Sequence, residues 1–276
     1  MPDNSQVQPV AFNCEGGLVL NRSSFLMQPG EATELLNFEP DIQGGYRRID
    51  GYRKFVNQVI PTTSNTSEKP LMVVNFADKV VAARGEKIFT SASTEVNIAI
   101  ASSTGMTGSS SITAKSTTGF SSSGTIQINS EIFTYTGISA TAFTGVTRAT
   151  SSTTAAAHIK GDVLSEAWIE RDTGRTNAVK YHFERYNFSG TEKLICVDGA
   201  NAPVIFNAAM TASDVSASAV AGSTVVVAYR NHMFYAGKST TPQEIVFSEP
   251  FDEDGFNAGD GAGSIKVDDT VVALKV

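Results

Sequence analysis

The sequence predicts an all-β protein made of β-propeller-type blades, incomplete within this chain, that carry a small inserted β-module. Three observations predict it. Apolar runs are short and are bounded by Gly, Asn or Asp turns. Charged residues make up only 18% of the 276 residues, with Ser, Thr, Gly and Ala in their place. One unit also recurs: "KVVAARGEKIFT", "KLICVDGANAPVIFN" and "VVVAYRNHMFYAG" each run from an apolar strand through a polar turn to an apolar-aromatic strand. Two such hairpins make a four-stranded blade. Because no fixed period repeats, an open β-sandwich stands as a second arrangement.

Residues 1–60 read as an N-terminal arm. Gly16, Gly17, Pro29, Gly30, Pro40, Gly44, Gly45 and Gly51 break any periodicity. "PGEATELLNF" (29–38) suggests a short helix with Glu31 and Glu34 in its first turn, or an extended arm lying on a neighbour. The first propeller strands follow over 61–98. They include "LMVVNF" and a hairpin, "KVVAARGEKIFT", that turns at Arg84, Gly85 and Glu86.

Composition shifts at 99–165. From 101 to 154, 27 of 54 residues are Ser or Thr. Alternating apolar and polar residues between Gly turns still mark a compact module, with Ile126, Ile128, Ile132, Phe133 and Tyr135 building one face. A flexible Ser/Thr linker is the plainer alternative. Further propeller strands occupy 166–276. "AVKYHFERYNF" is paired with the run after Ser189-Gly190, "STVVVAYRNHMFYAG" turns at Arg230-Asn231, and "QEIVFSEP", "SIKV" and "TVVALKV" follow. The last of these is an apolar strand without a cap, which suggests a longer chain or a pairing partner.

Chemistry is sparse. The net charge of −7 and pI near 5.0 carry no basic nucleic-acid footprint, although an acidic wall suits DNA that must slide without sticking. Cys14 and Cys196 make no disulfide framework and read as free thiols. His158, His182 and His232 share no motif, and no cofactor or metal is expected. Asp252, Glu253, Asp254 and Asp260 cluster in "FDEDGFNAGDGAG". Their spacing misses the EF-hand pattern and favours a solvated acidic loop. Glu39 and Asp41 flank Pro40 as surface charges rather than as an acid–base pair. No apolar run approaches the roughly 20 residues of a membrane span, and no signal peptide is evident.

The stretch "NFEPDIQGGYRRIDGY" (37–52) is different. Pro40 stiffens it, Gly44-Gly45 allows a sharp turn, and Tyr46 and Tyr52 are placed to stack on Arg47, Arg48 or Arg53. Clusters of Tyr and Arg anchor protein interfaces, so Phe38, Pro40, Tyr46, Arg47, Arg48 and Tyr52 are the candidate assembly residues. The plain alternative is a surface turn.

With "EGGLVLNRSSF" and "PGEATELLNFEPDIQGGYRRIDGYRKF", the chain resembles the tail nozzle, or packaged-DNA stabilisation, proteins of short-tailed bacteriophages. "VVVAYRNHMFYAG…EIVFSEPFDEDGF" is similar to their propeller segments. The middle segment resembles small β-modules inserted into phage structural proteins. The resemblance implies a non-enzymatic virion protein, made in the host cytoplasm. It implies a six-membered ring below the portal and its adaptor, contacting other tail proteins and leaving room for tail fibres. The ring would extend the DNA channel and retain the genome until ejection. The acidic loop is then a candidate channel or rim feature, by charge alone. Another tail, baseplate or head-decoration protein, or a module that binds host-surface glycans, is the alternative.

Overall fold

The computed structural model describes residues 16–42, 45–49, 51, 53–62, 69–176 and 178–276. Among these the chain is all-β, with no α-helix. It divides into two compact units, Met1–Arg53 and Lys54–Val276, so the boundary expected at 60 falls at Arg53. Residues 57–60 belong to the larger unit through specific ties. The Asn57 side-chain amide donates to the Gln127 and Val163 carbonyls, both at 2.8 Å, and Trp168 Nε1 donates to the Gln58 carbonyl.

The larger unit contains three four-stranded antiparallel sheets, each with its strands in sequence order. The first comprises Pro70–Phe76, Lys79–Arg84, Lys87–Ser91 and Ile169–Asp172. The second comprises His182–Tyr186, Lys193–Val197, Val204–Phe206 and Ala212–Asp214. The third comprises Val225–Tyr229, His232–Ala236, Glu244–Phe247 and Gly263–Lys266. Residues Ala77-Asp78 and Arg230-Asn231 take positive φ together, the geometry of the two-residue hairpin turn that matches strand twist. The expected turns at Gly85 and Arg230-Asn231 are therefore present.

Alternation along the strands stacks the sheets. In the second sheet Leu194, Cys196, Val204 and Phe206 share a core with Met72, Val74, Phe76, Val81 and Ile88 of the first. Their neighbours Ile195, Val197 and Ile205 point the other way and share a core with Val226, Met233 and Tyr235 of the third. The middle sheet is thus covered on both faces, which is why "KLICV" reads as continuously apolar. Each such buried side chain contributes about 1.5–3 kcal/mol.

The Ser/Thr-rich segment is a true insertion. The chain leaves the first sheet after Ser91 and returns to it at Ile169, completing the fourth strand beside Lys87–Ser91. Between them Ser93–Glu95 pairs with Val163–Glu166 and closes the base of a separate seven-stranded sheet. Register shifts between Thr144 and Thr147 bend that sheet. Its core holds Val96, Ile112, Phe120, Ile126, Ile128, Phe133, Tyr135, Phe143 and Leu164. The sheet spans 93–166, starting before the expected residue 99, because its first strand is polar and lies at an edge. Ile132 lies on the opposite face from Phe133 and is only partly buried.

Of the two readings of 29–38 the helix is absent, and the expected C-terminal strand is absent too. The segment 29–38 forms no helix; Glu31–Ala32 instead bridges Gly17–Leu18 in parallel, with the Glu31 carboxylate bound by Arg22 and by the Gln28 amide. The run "TVVALKV" forms no strand. Val271 N donates to the Pro242 carbonyl, and Leu274 and Val276 lie against the third sheet without joining it.

Candidate assembly interface

The stretch at 37–52 forms a small hairpin, Phe38–Pro40 paired with Tyr46–Arg48. Asn37, at φ 62, sets up its start, and the Ile49 amide donates to the Asn37 carbonyl. Phe38 is opposite Arg48 and Pro40 opposite Tyr46, so alternation puts all four on one face. On the other face Glu39 faces Arg47, and their charged ends meet at 2.7 Å. The Tyr46 ring packs edge-on against Phe38, with centroids 5.4 Å apart. Five of the six candidate residues are therefore gathered on one hairpin. Tyr52 and Cys14 lie outside the described residues.

What surrounds the hairpin is unusual. Among the described residues of 16–53, none is buried. Eight large hydrophobics there are exposed, including Phe25 at 96% and Ile42 at 102%. Isolated exposed hydrophobics are ordinary; here eight fall among the described residues of one short segment.

The acidic loop divides. Glu253 is buried and ion-paired with Lys193 of the second sheet. Asp254 accepts from the Ser216 amide at 2.8 Å and its own amide donates to Asp252. Asn257 caps the short turn Ala258–Asp260 and donates to Asp260. Glu253 is thus a tie between the second and third sheets, while Asp252, Asp254 and Asp260 remain exposed. Burial, with the Glu253 carboxylate adding to it, pushes the Tyr186 and Tyr235 phenols well above their ordinary value.

Sequence reasoning missed three buried charge nodes, all structural. Arg175 joins Asp172 of the first sheet to Asp198 and Asp214 of the second. Lys79 of the first sheet donates to the Gly119 carbonyl and lies 3.5 Å from Glu166 at the module base. Inside the module Glu131 takes a bidentate pair from Arg148, both contacts at 2.8 Å, and a third from His158 Nε2 at 2.9 Å. Only Glu131 lies in an alternating strand; Arg175 follows Ile169–Asp172 in a loop and Lys79 opens a strand buried along its whole length, so no pattern in the sequence marks these nodes.

The other chemistry-bearing groups are dispersed. His182 Nδ1 accepts from the Val226 amide, and His232 Nδ1 donates to the Ser248 carbonyl. Cys196 is free and buried 3.6 Å from Met72 Sδ, and burial pushes its thiol up. Among the described residues no group of His, Cys, Asp and Glu is placed to hold a metal, and no helix is long and apolar enough to cross a membrane. The module's four aromatics, Phe120, Phe133, Tyr135 and Phe143, are all buried, so none is presented to stack on a sugar. Comparison with protein-family models, curated proteins and solved structures gave no match.

Proposed function

We propose that this chain is a structural subunit of a phage tail, a nozzle-type protein that forms a ring extending the DNA channel below the portal and adaptor and helps retain the packaged genome. The carrying observation is the N-terminal segment. It bears the resemblance to nozzle proteins, and it displays eight exposed large hydrophobics with none of its described residues buried. Such a segment is stabilised by a neighbour. The three four-stranded sheets share cores in series, which supports reading them as successive propeller blades. Exposed Asp252, Asp254 and Asp260 suit a rim past which DNA slides, since an acidic surface repels phosphate.

Native mass spectrometry of the purified chain, with gold-label imaging of intact particles, tests this. Six copies on the tail axis are expected. A monomer at high concentration, or label confined to the capsid surface, sinks the nozzle reading. The alternative of glycan capture loses its basis because the aromatics it would use are in the module core.

A further inference from the structure

We propose that the outer face of the third four-stranded sheet receives the N-terminal segment of a second copy of this chain, joining copies head to tail; this rests on the reading of the chain as an assembly subunit. The argument begins with alternation. Val226, Met233 and Tyr235 point toward the second sheet. Register then sends Val227, Tyr229, Phe234, Ile245 and Ile265 to the opposite face. With Leu274 and Val276 they line an open apolar hollow. Tyr229 is 43% and Ile265 48% exposed. The face continues a series: first on second, then second on third, each joint an apolar sheet face covered by another element.

Among the described residues, the largest set of exposed apolar side chains lies in 16–49: Leu18, Leu20, Phe25, Leu26, Leu36 and Ile42 are its most exposed members. Each copy supplies one such segment and one such face, in fixed ratio. A second copy therefore covers both sets at once, whereas an unrelated partner covers one and leaves the other. The two surfaces differ in structure, so the contact is heterologous. A heterologous contact generates a ring where the rotation closes.

The test uses the purified full-length chain. A photo-crosslinking benzoylphenylalanine replaces Phe25, and isotopically light and heavy chains are mixed before illumination. The expected products are light–heavy peptides joining residue 25 to 225–247 or 263–276. Cross-links confined to one chain, arm-to-arm links, or links to another surface overturn the proposal. In parallel Ile265→Lys, on an exposed strand, is expected to weaken self-association about tenfold. Val73→Lys, at a more exposed position on the first sheet, leaves it unchanged. Equal association of Ile265→Lys and the parent chain also overturns it. Particle imaging separates this contact from the tail reading. Copies that join by this contact yet are absent from virions overturn the tail reading and support the contact. A virion in which residue 25 cross-links only to a different tail protein overturns the contact and leaves the tail reading standing.

Discussion

Glu131 shares its strand with Phe133 and Tyr135, and period-two alternation carries its carboxylate into the module core with their rings. A charge there is tolerated because it is completely partnered: by Arg148, by His158, and by the Ala149 and Ala156 amides. Burial alone raises a carboxyl, but Arg148 and the other donors outweigh it and hold Glu131 at about 2 against an ordinary 4.5. A depressed carboxylate contributes stability above its unfolded value and loses it as pH falls toward the folded one. The module is therefore expected to lose about 3 kcal/mol between pH 4.5 and 2, read as a falling midpoint in urea titrations. Arg148→Met leaves the buried carboxylate without its counter-charge and is expected to cost about 3–5 kcal/mol at neutral pH. An unchanged melting curve for that variant would show that Glu131 has another source of stabilisation. The inward face at Ile126, Ile128, Phe133 and Tyr135 is legible from the sequence. The inward Glu131 is not, because a lone Glu in an apolar pattern ordinarily signals the outward face.

Element by element, legibility followed turn chemistry. Hairpins at Gly85 and at Arg230-Asn231 were readable because their turn residues tolerate positive φ. The polar first strand of the module, Ser93–Glu95, was not, since nothing in its side chains distinguishes it from a loop. The segment 29–38 carries helix-favouring charges, yet Glu31 is held by Arg22 and the Gln28 amide in a turn. Propensity lost to local hydrogen bonding. The candidate hairpin was legible in composition but not in pairing: Glu39 opposite Arg47 is a register fact. Replacing Tyr46 and Arg47 together with Ala is expected to weaken the proposed ring assembly about tenfold while the larger unit keeps its melting temperature. Sedimentation and thermal scans separate the two effects. The joint between module and first sheet rests on Gly119. Its φ is +85, and an added Cβ would stand 2.6 Å from the Asp78 carbonyl oxygen. Gly119→Ala is expected to cost roughly 1–3 kcal/mol and to speed hydrogen exchange at the module base. Unaltered exchange there would mean that the joint gives without cost.

At the scale of the whole molecule, the insertion makes a separable prediction. The strands that flank the module, Lys87–Ser91 and Ile169–Asp172, pair directly with each other, and their ends are already side by side, with the Glu166 amide donating to the Ala92 carbonyl at 2.8 Å. The three sheets share cores with one another, and the module has its own. Excising 92–167 and closing the gap with Asn-Gly, the turn a two-residue hairpin prefers, should convert the two strands into an ordinary hairpin. Lys79 would lose Glu166 and the Gly119 carbonyl, so Lys79→Met belongs in the same chain to avoid an unpaired buried ammonium. Asn57 would lose its partners too, but it is only partly buried and water can replace them. The shortened chain is expected to remain soluble, give a β-type circular dichroism spectrum and unfold cooperatively. It should also retain self-association, since neither the N-terminal hairpin nor the third sheet's outer face lies in the excised segment. Aggregation of the shortened chain would show that the stack needs the module to fold. A folded monomer would place the association surface on the module and away from the arm.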